Sequence, residues 1–568
     1  MTLVGGVEDP PQRPLRPADE VMRLRRMGSS FPTRLSFMRS LIRQLADERA
    51  EVTRSVWAVD ELGFGRAVYT VMLSGYSYSL VAFSTPLDPT DRTDRVIAEA
   101  WDTSFVLFDG VPTTDDLDRL ESAVPKQEAA RYRESELTLS RANKSVRLFD
   151  HVVTCLAGGS QPDEDMLASV GYLMRTTAVY GNGKFGIADR AKFSDRPAMT
   201  DPFRSEMLTV WLIRGFTLDL VEHIARRRSP ATFVPLDRRL KRHLGIGNAT
   251  GLGMAPFLVN HPILFNNWVM ARETALARVR AVEHPGAAEI QSVTTLLQRA
   301  RLHVAQWRVA DASQSMRIAT LATELAEVEA MLDPEWFAAP FPWDNLVTRS
   351  ERWSLETREL IVALLLEPYG HLVDGLSDCM ASPVVPSLDP AMRVGSLREQ
   401  LASGFGWALD IDFESSSESS QFWYVSEEKL EPRLGRRYEE PGADREQPLD
   451  IALQVQRLGV ALEEAPSSQS LASFLARYPH HRFAVLRVQT AARYPYAEIR
   501  DNLIGDGCVP IDMLRAKLSF FGASKFDPKS DRWTRINLFQ GAPLFDELAD
   551  PDLGFDADDW WLPVLESP

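Results

Sequence analysis

Residues 66–85, RAVYTVMLSGYSYSLVAFST, decide the fold class of this chain because they carry the period of a β-strand. Apolar and polar residues alternate through most of the segment, and many are β-branched or aromatic, which suits a half-buried strand. The alternation breaks at Ser74-Gly75, where a tight turn can reverse the chain. The segment therefore predicts a β-hairpin. A further strand of a small antiparallel sheet is expected at VIAEAW or at SFVLFDG (104–110).

Helical periodicity dominates the rest of the chain. Apolar residues recur on one face of 21–52, a strongly apolar helix is predicted over 205–225, and residues 263–335 have the clearest helical period. A helix over 354–367 is expected to end or bend at Pro368. The sequence therefore predicts an α+β fold that is mainly α-helical. It would have a small N-terminal antiparallel β-sheet, a central helical body and a C-terminal α/β portion.

The C-terminal part mixes both periods. Helices are predicted near 449–463, 468–477 and 510–518, whereas FAVLRVQT (483–490) is typical of a strand. The acidic tail contains the apolar run WWLPV, which predicts that this tail docks onto the body.

A chain of 568 residues has the length of about three to four domains. The expected organisation is an N-terminal arm (1–20), an α+β domain with the antiparallel sheet (21–150), a helical body (151–382), an irregular charged loop region (383–449) and a C-terminal α+β portion (450–568).

Composition limits the functional class. The net charge of −16 argues against general nucleic-acid binding, which calls for a basic face. Cys155, Cys379 and Cys508 form no CxxC pair, so neither a disulfide framework nor a structural zinc site is expected. The first residues lack the pattern of a signal peptide, and no apolar run approaches the roughly twenty residues that cross a bilayer. We expect a soluble, cytoplasmic protein that binds neither nucleic acid nor membrane.

The segment 238–262, RRLKRHLGIGNATGLGMAPFLVNHP, is the first candidate binding site. Basic residues run into four glycines, and glycine lets backbone N–H groups approach an anion closely. The same glycines are also typical of a helix end that packs closely against another element, with the arginines on a solvated face. The pattern matches neither the Walker loop nor the dinucleotide fingerprint. The candidate anion-binding residues are Arg242, Gly247, Asn248, Thr250 and Gly251.

Two further residues are candidate catalytic residues. His261, at the end of that segment, can act as acid or base because the unperturbed pKa of histidine lies near neutral pH. A buried histidine satisfied by a backbone carbonyl explains the same residue. Lys184 in YGNGKFG (180–186) is a candidate catalytic lysine, held on a tight turn for an anion or a Schiff base. Asn-Gly also predicts a β-hairpin turn, and the two interpretations are compatible.

The stretch 415–442 crowds aromatic and charged side chains into a long irregular segment, which is often a functional loop. Arg433 can hold a carboxylate or phosphate in a two-point fork. Lys429 adds a positive charge, and Glu428 is a candidate proton carrier. The alternative is a solvated, charge-balanced surface loop.

A metal site is the last candidate. Glu367, His371, Asp374 and Asp378 would share one face of an unbroken helix, and these side chains ligate iron, manganese or zinc. Pro368 and a glycine interrupt that helix, so no metal ligand is assigned.

Together these features favour an enzyme that acts on a small anionic metabolite, a carboxylate or a phosphate. The expected chemistry is acid–base elimination, hydrolysis or transfer without a nucleotide cofactor, because no nucleotide fingerprint is complete, and no other cofactor is expected. The sequence leaves two alternatives open: a non-catalytic helical scaffold or regulatory protein, and a metal-dependent oxygenase. A homo-oligomer is compatible with the helical stripes.

Overall fold

A computed structural model describes residues 11–86, 101–126, 133–176, 195–251, 261–381, 386–411, 421–425, 432–436, 451–500, 512–529, 533–549 and 560–565.

The chain forms two compact units, and each is assembled from three segments of sequence. Unit 1 comprises Met1–Leu35, Gly251–Gln298 and Thr320–Leu518. Unit 2 comprises Ser36–Thr250, Arg299–Ala319 and Ser519–Pro568. The linear domain boundaries expected from the sequence stay a prediction beside this division.

The described strands form one large sheet and one two-stranded ribbon. The large sheet has nine strands in the order β1-β2-β3-β4-β5-β6-β7-β11-β10. Neighbours from β1 to β6 are antiparallel, as are β10 and β11, whereas β6 and β7 are parallel. The strands are β1 (Val52–Val59), β2 (Gly65–Leu73), β3 (Tyr76–Pro86), β4 (Trp101–Asp109), β5 (Glu136–Lys144), β6 (Tyr172–Thr176), β7 (Gly245–Gly251), β8 (Gln421–Val425), β9 (Pro432–Arg436), β10 (Phe526–Pro528) and β11 (Trp533–Leu538).

The described α-helices are α1 (Ala18–Val21), α2 (Leu24–Gly28), α3 (Phe37–Asp47), α4 (Thr114–Ala123), α5 (Phe149–Ala157), α6 (Glu164–Val170), α7 (Arg204–Arg228), α8 (Arg238–His243), α9 (Pro262–Arg280), α10 (Ala287–Gln306), α11 (Ala312–Met331), α12 (Pro334–Ala338), α13 (Pro342–Arg349), α14 (Leu355–Leu366), α15 (Gly370–Val373), α16 (Val394–Leu409), α17 (Ile451–Glu463), α18 (Leu471–Arg477), α19 (Arg482–Arg493), α20 (Asp512–Phe521) and α21 (Phe545–Ala549).

Helices cover both faces of the large sheet in unit 2. Val68 and Val106 point to one face, where they join a buried cluster with Leu120 of α4. Their neighbours Tyr69 and Phe105 point to the other face, and both rings contact Phe216 of α7. This alternation follows from the two-residue period of a strand, because successive side chains point to opposite faces.

The mixed α+β class predicted from the sequence is confirmed, as is the hairpin, since β2 and β3 pair from Leu73↔Tyr76 outward. The sheet is larger than the three strands that the alternation indicated. The strand expected at 483–490 is wrong: these residues lie in α19. Its apolar side chains also fit a helical stripe, and Ala484, Val485 and Val488 are buried. Tertiary packing therefore overrode the strand preference of the valines.

One helical stretch, Leu355–Met380, has the length and apolar composition that can cross a membrane. It begins with α14, which ends at Leu366, and it continues as short helical turns after Pro368. Most of its apolar part is buried within the protein. Its Glu359 is also buried and accepts hydrogen bonds from Arg16 and Arg272. These are properties of a core helix.

Candidate functional site

The glycine-rich segment GIGNATG is the strand β7, which also contains Thr250 and Gly251. A Cβ atom on Gly247 would lie 2.6 Å from the ring of Tyr172. One on Gly245 would overlap the carbonyl oxygen of Leu538 at the end of β11. Close packing between strands therefore accounts for these two glycines without a ligand.

Two other candidate anion ligands flank those glycines. Asn248 is buried, and its Nδ2 donates to the carbonyl of Thr176 at 2.8 Å. Arg242 Nε lies 3.7 Å from Glu547 Oε2, and the backbone carbonyl of Arg242 accepts from Arg214 Nη2 at 3.0 Å. Both positions thus serve the packing of unit 2, and the Arg242 side chain remains partly exposed.

The remaining predicted site residues lie elsewhere in the chain. His261 precedes α9 in unit 1, is partly buried, and its carbonyl accepts from the backbone N–H of Phe265. Arg433 lies in β9 of the two-stranded ribbon, also in unit 1. Lys184, Glu428 and Lys429 lie outside the described residues. That these side chains converge on one ligand stays a prediction.

The side chains considered as metal ligands do not share one helix. Glu367 begins a 3₁₀ turn, His371 lies in α15, and Asp374 begins another 3₁₀ turn. Asp374 is held by Arg34, whose Nε donates to Asp374 Oδ1 at 2.9 Å. Within the ranges that the structure describes, no group of three His, Cys, Asp or Glu side chains is placed to hold a metal ion.

A buried polar cluster that the sequence did not single out lies in unit 2, where α8 meets the end of β11. We call His243, His303, Lys525, Asn537 and Gln540 the histidine–lysine cluster. His243 and His303 are only 5% and 2% exposed. The positive charge of Lys525 lowers the pKa of both imidazoles.

An amide chain fixes the proton of His243. Asn537 Nδ2 donates to the carbonyl of Val170 at 3.2 Å and to Gln540 Oε1 at 3.3 Å. The amide nitrogen of Gln540 therefore faces His243 Nε2, at 2.9 Å. Because an amide nitrogen only donates, His243 Nε2 accepts, and the proton of neutral His243 lies on Nδ1. Among the described residues, His243 Nδ1 has no hydrogen-bond partner.

His303 has the opposite arrangement. Its Nδ1 lies 2.9 Å from the carbonyl oxygen of Pro563, in the apolar tail. A carbonyl only accepts, so Nδ1 carries the proton and Nε2 carries the lone pair. The backbone of Ser524 also contacts the His303 ring and raises its pKa. Within the described part of the chain, Nε2 makes no hydrogen bond. His243 thus carries an N–H, and His303 carries a lone pair, without a hydrogen-bond partner.

Burial keeps both imidazoles neutral at neutral pH. Burial first, and then the positive charge of Lys525, lower the pKa of His243 to about 3. Burial lowers the pKa of His303 to about 4, although its contact with the Pro563 carbonyl raises it. Burial also lowers the pKa of Lys525 to about 8, against the opposing effect of Asp527. Perturbed values gathered in one place are typical of functional sites.

A buried arginine holds the α8 end of the cluster. Arg214 of α7 donates from Nε to the carbonyl of Leu244 at 2.7 Å and from Nη1 to that of Pro543 at 2.8 Å. Its Nη2 reaches the carbonyl groups of Lys241 and Arg242. These carbonyls lie at the C-terminal end of α8, where helical partners are missing. Arg214 therefore fixes the backbone that positions His243.

No protein-family model matches this chain, and no match was found among curated proteins or among solved structures. The interpretation of the cluster as a functional site therefore depends on its own geometry and charges. Of its members, only His243 lay inside a segment that the sequence had marked, and the other four come from distant parts of the chain.

Proposed function

We propose that this chain is an enzyme that acts on a small anionic metabolite by acid–base chemistry. The observation that carries the proposal is the histidine–lysine cluster, in which one buried imidazole offers a proton donor and another offers a lone pair. Buried polar atoms are rarely left unpaired, so His243 Nδ1 and His303 Nε2 are suited to face the polar groups of a ligand.

The charge of Lys525 supports an anion as that ligand. The residue is partly buried, and with a pKa of about 8 it remains mostly protonated at neutral pH. Arg308 and Arg535 lie near enough to lower the pKa of Lys525, so the surroundings carry further positive charge. A carboxylate or a phosphate placed beside the ammonium group would gain from all three charges.

The acid–base step would divide between the two histidines. His303 Nε2 would remove a proton from the bound metabolite, and His243 Nδ1 would stabilise the oxygen that gains negative charge. A neutral imidazole in a buried site can serve either purpose because the neutral form both donates and accepts.

Ligand-induced stabilisation tests the binding part of the proposal. Wild type, Lys525→Met and Lys144→Met would be screened by thermal shift against acetate, pyruvate, malate and inorganic phosphate. A ligand at a hundred times its dissociation constant adds about 2.7 kcal/mol to the native state. Lys144 is a matched control, since burial also lowers its pKa and it is partly buried in unit 2. We expect one anion to stabilise wild type and Lys144→Met but not Lys525→Met.

Proton exchange tests the chemical part. Wild type and His303→Gln would be incubated with pyruvate in D2O, and the loss of the methyl signal followed by proton NMR. We expect exchange that depends on wild type and is abolished in His303→Gln, because the glutamine amide can still donate to Pro563 but offers no imidazole base. If no anion stabilises wild type and no exchange occurs, the scaffold alternative becomes the better account of the chain.

A further inference from the structure

The turn between α18 and α19 concentrates positive charge in an acidic chain. Residues 465–497 contain four arginines and no aspartate or glutamate, whereas the whole chain has a net charge of −16. Arg477 ends α18, Arg482 begins α19, and both residues are exposed. The 3₁₀ turn Pro479–His481 joins the two helices, so these arginines flank a single turn. An anionic partner would therefore meet two cations here.

Aromatic rings lie between the two arginines in the sequence and pack together. The guanidinium of Arg477 lies over the Tyr478 ring, 5.2 Å from its centroid. The Tyr478 ring stands nearly perpendicular to that of His480, with their centroids 6.3 Å apart. The rings of His480 and His481 are only 4.1 Å apart, and His481 is buried against Phe474 at 6.2 Å. His480 is exposed and Tyr478 is partly exposed. The buried rings thus support the two that reach solvent.

The other charges near this turn are also positive. Burial lowers the pKa of His481 to about 4, and the charges of His480 and of Arg457, an exposed residue of α17, lower it further. His481 is therefore neutral near neutral pH, and the net charge comes from the arginines. We call Arg457, Arg477, Tyr478, His480 and Arg482 the aromatic–basic corner.

The combination of rings and arginines distinguishes between anionic partners. An acidic peptide needs cations but no exposed rings, and an anionic membrane also calls for exposed apolar side chains that insert into it. Every leucine, valine and phenylalanine in 465–497, all of which the structure describes, is buried or partly buried. Single-stranded nucleic acid uses both features of the corner, because its bases stack on aromatic rings or guanidinium planes while its phosphates pair with arginines.

We propose that the aromatic–basic corner binds single-stranded nucleic acid, with bases stacked on Tyr478 and His480 and phosphates held by the flanking arginines. The corner lies in unit 1 and the histidine–lysine cluster lies in unit 2, so this binding goes beyond the proposed function. The acidic composition argues against a general basic face, but it does not oppose one local surface of opposite charge.

Fluorescence anisotropy with two labelled strands tests the assignment on the full chain. One strand is oligothymidine, and the other is an abasic strand of the same length, which carries the same phosphates without bases. We expect oligothymidine to bind wild type more tightly, by roughly 5- to 150-fold for each stacked base. Binding of both strands should weaken as the salt concentration rises, because arginine–phosphate contacts release counterions.

Three variants separate stacking from charge. His480→Ala removes an exposed ring and should reduce the preference for oligothymidine without changing the affinity for the abasic strand. Arg482→Gln should weaken both strands and lower the slope of log affinity against log salt by about 0.7 for a lost phosphate contact. Arg352→Gln is the matched control, because Arg352 is an exposed arginine of unit 1 that also lies over an aromatic ring, that of Trp353. It should bind both strands as wild type does, and circular dichroism checks that each variant folds.

Four results would overturn the assignment. Equal affinity of wild type for the two strands would show phosphate contact without base stacking. Tighter binding of polyglutamate or of phosphatidylserine vesicles than of oligothymidine, lost in Arg482→Gln, would assign the corner to an acidic protein or to a membrane. Equal losses in Arg482→Gln and Arg352→Gln would place the binding elsewhere on the protein. No binding of either strand at low salt would mean that the arginines form a solvated face.

Discussion

One glycine, Gly171, leaves room for the side-chain amides of Asn537 and Gln540 in the histidine–lysine cluster. Gly171 has φ +72°, and a Cβ atom there would overlap Asn537 Nδ2 and lie 2.9 Å from Gln540 Nε2. We expect Gly171→Ala to push both amides away from Val170 and His243. The left-handed backbone alone costs about 1–3 kcal/mol for other residues, and the clash adds to this. Denaturant unfolding measures the loss of stability.

Gly75→Ala is the matched control for that substitution. Gly75 has φ +78°, but a Cβ atom there would meet nothing within 4 Å. It therefore carries the backbone cost without the clash. Equal losses of stability in the two variants would show that the amide chain tolerates displacement, and that the proton of His243 is not fixed as described.

The sequence could reveal single members of the cluster but not their meeting. His243 stands out in RRLKRH, yet Gln540, which orients it, lies 297 positions away. No sequence motif around His303 or Lys525 marks either residue as functional. Their unusual pKa values arise from burial, and burial depends on which distant elements cover them.

At the scale of elements, periodicity predicted the helices and strands whose tertiary packing agrees with the local preference of their own residues. The hairpin β2–β3 was predictable because alternation and turn chemistry agree there. The segment now seen as α19 was not, because its valines favour a strand while packing selects a helix. Strand β7 was missed for the opposite reason, since three of its seven residues are glycine and glycine is depleted in strands.

The tail WWLPV docks, and its strongest polar contacts come from one helix. Gln306 of α10 donates from Nε2 to the carbonyl of Leu565 at 2.8 Å, and its Oε1 accepts from the Leu565 N–H at 2.9 Å. His303 lies one turn earlier and contacts Pro563. This reciprocal pair satisfies both backbone groups of one residue, as a neighbouring strand would.

Gln306→Met should loosen the tail. The substitution leaves the Leu565 N–H and carbonyl without these partners, and an unsatisfied buried polar group costs about 1–3 kcal/mol. We expect faster hydrogen exchange at Leu565 and higher accessibility of Trp561, which is only 1% exposed. Gln291→Met is the control because Gln291 is an exposed glutamine of the same helix. Unchanged exchange at Leu565 in Gln306→Met would mean that the other contacts of the tail, among them the buried tryptophans and the bond from His303 to Pro563, are enough to hold it.

At the scale of the whole molecule, the two units interleave along the chain. Unit 2 takes its histidine–lysine cluster from all three of its segments, with His243, His303 and Lys525 in one segment each. Composition and periodicity report local properties, so they predicted the α+β class without revealing which segments assemble together. Assembly of this kind depends on contacts between residues hundreds of positions apart.

Unit 1 is likewise closed by long-range contacts, and these are ionic. Glu359 of α14 is fully buried, and Oε1 accepts from Arg16 at 2.9 Å and from Arg26 at 3.1 Å. Its Oε2 accepts from Arg272 of α9 at 2.5 Å. Burial opposes ionisation, but the three guanidinium groups outweigh it and hold the pKa of Glu359 well below its usual range. One carboxylate thus joins the N-terminal arm, α2 and α9.

Glu359→Gln should therefore destabilise the protein and change its response to acid. Removing one partner from a buried ionic group costs about 3–5 kcal/mol, here because three buried arginines lose a counter-charge. Since the folded pKa of Glu359 is lowered, its stabilisation is present above the unfolded value of about 4.3 and is lost as pH falls below that value. The difference in unfolding free energy between wild type and Glu359→Gln should be constant near neutral pH and shrink below about pH 4.

Two controls separate this effect from other titrations. Protonation of the buried histidines also destabilises the protein in acid, but it does so equally in both proteins and cancels in the difference. Glu335→Gln, at an exposed position, is the control and should match wild type throughout. A difference that stayed constant down to pH 3 would show that folding does not lower the pKa of Glu359, and that the arginines are held by other groups.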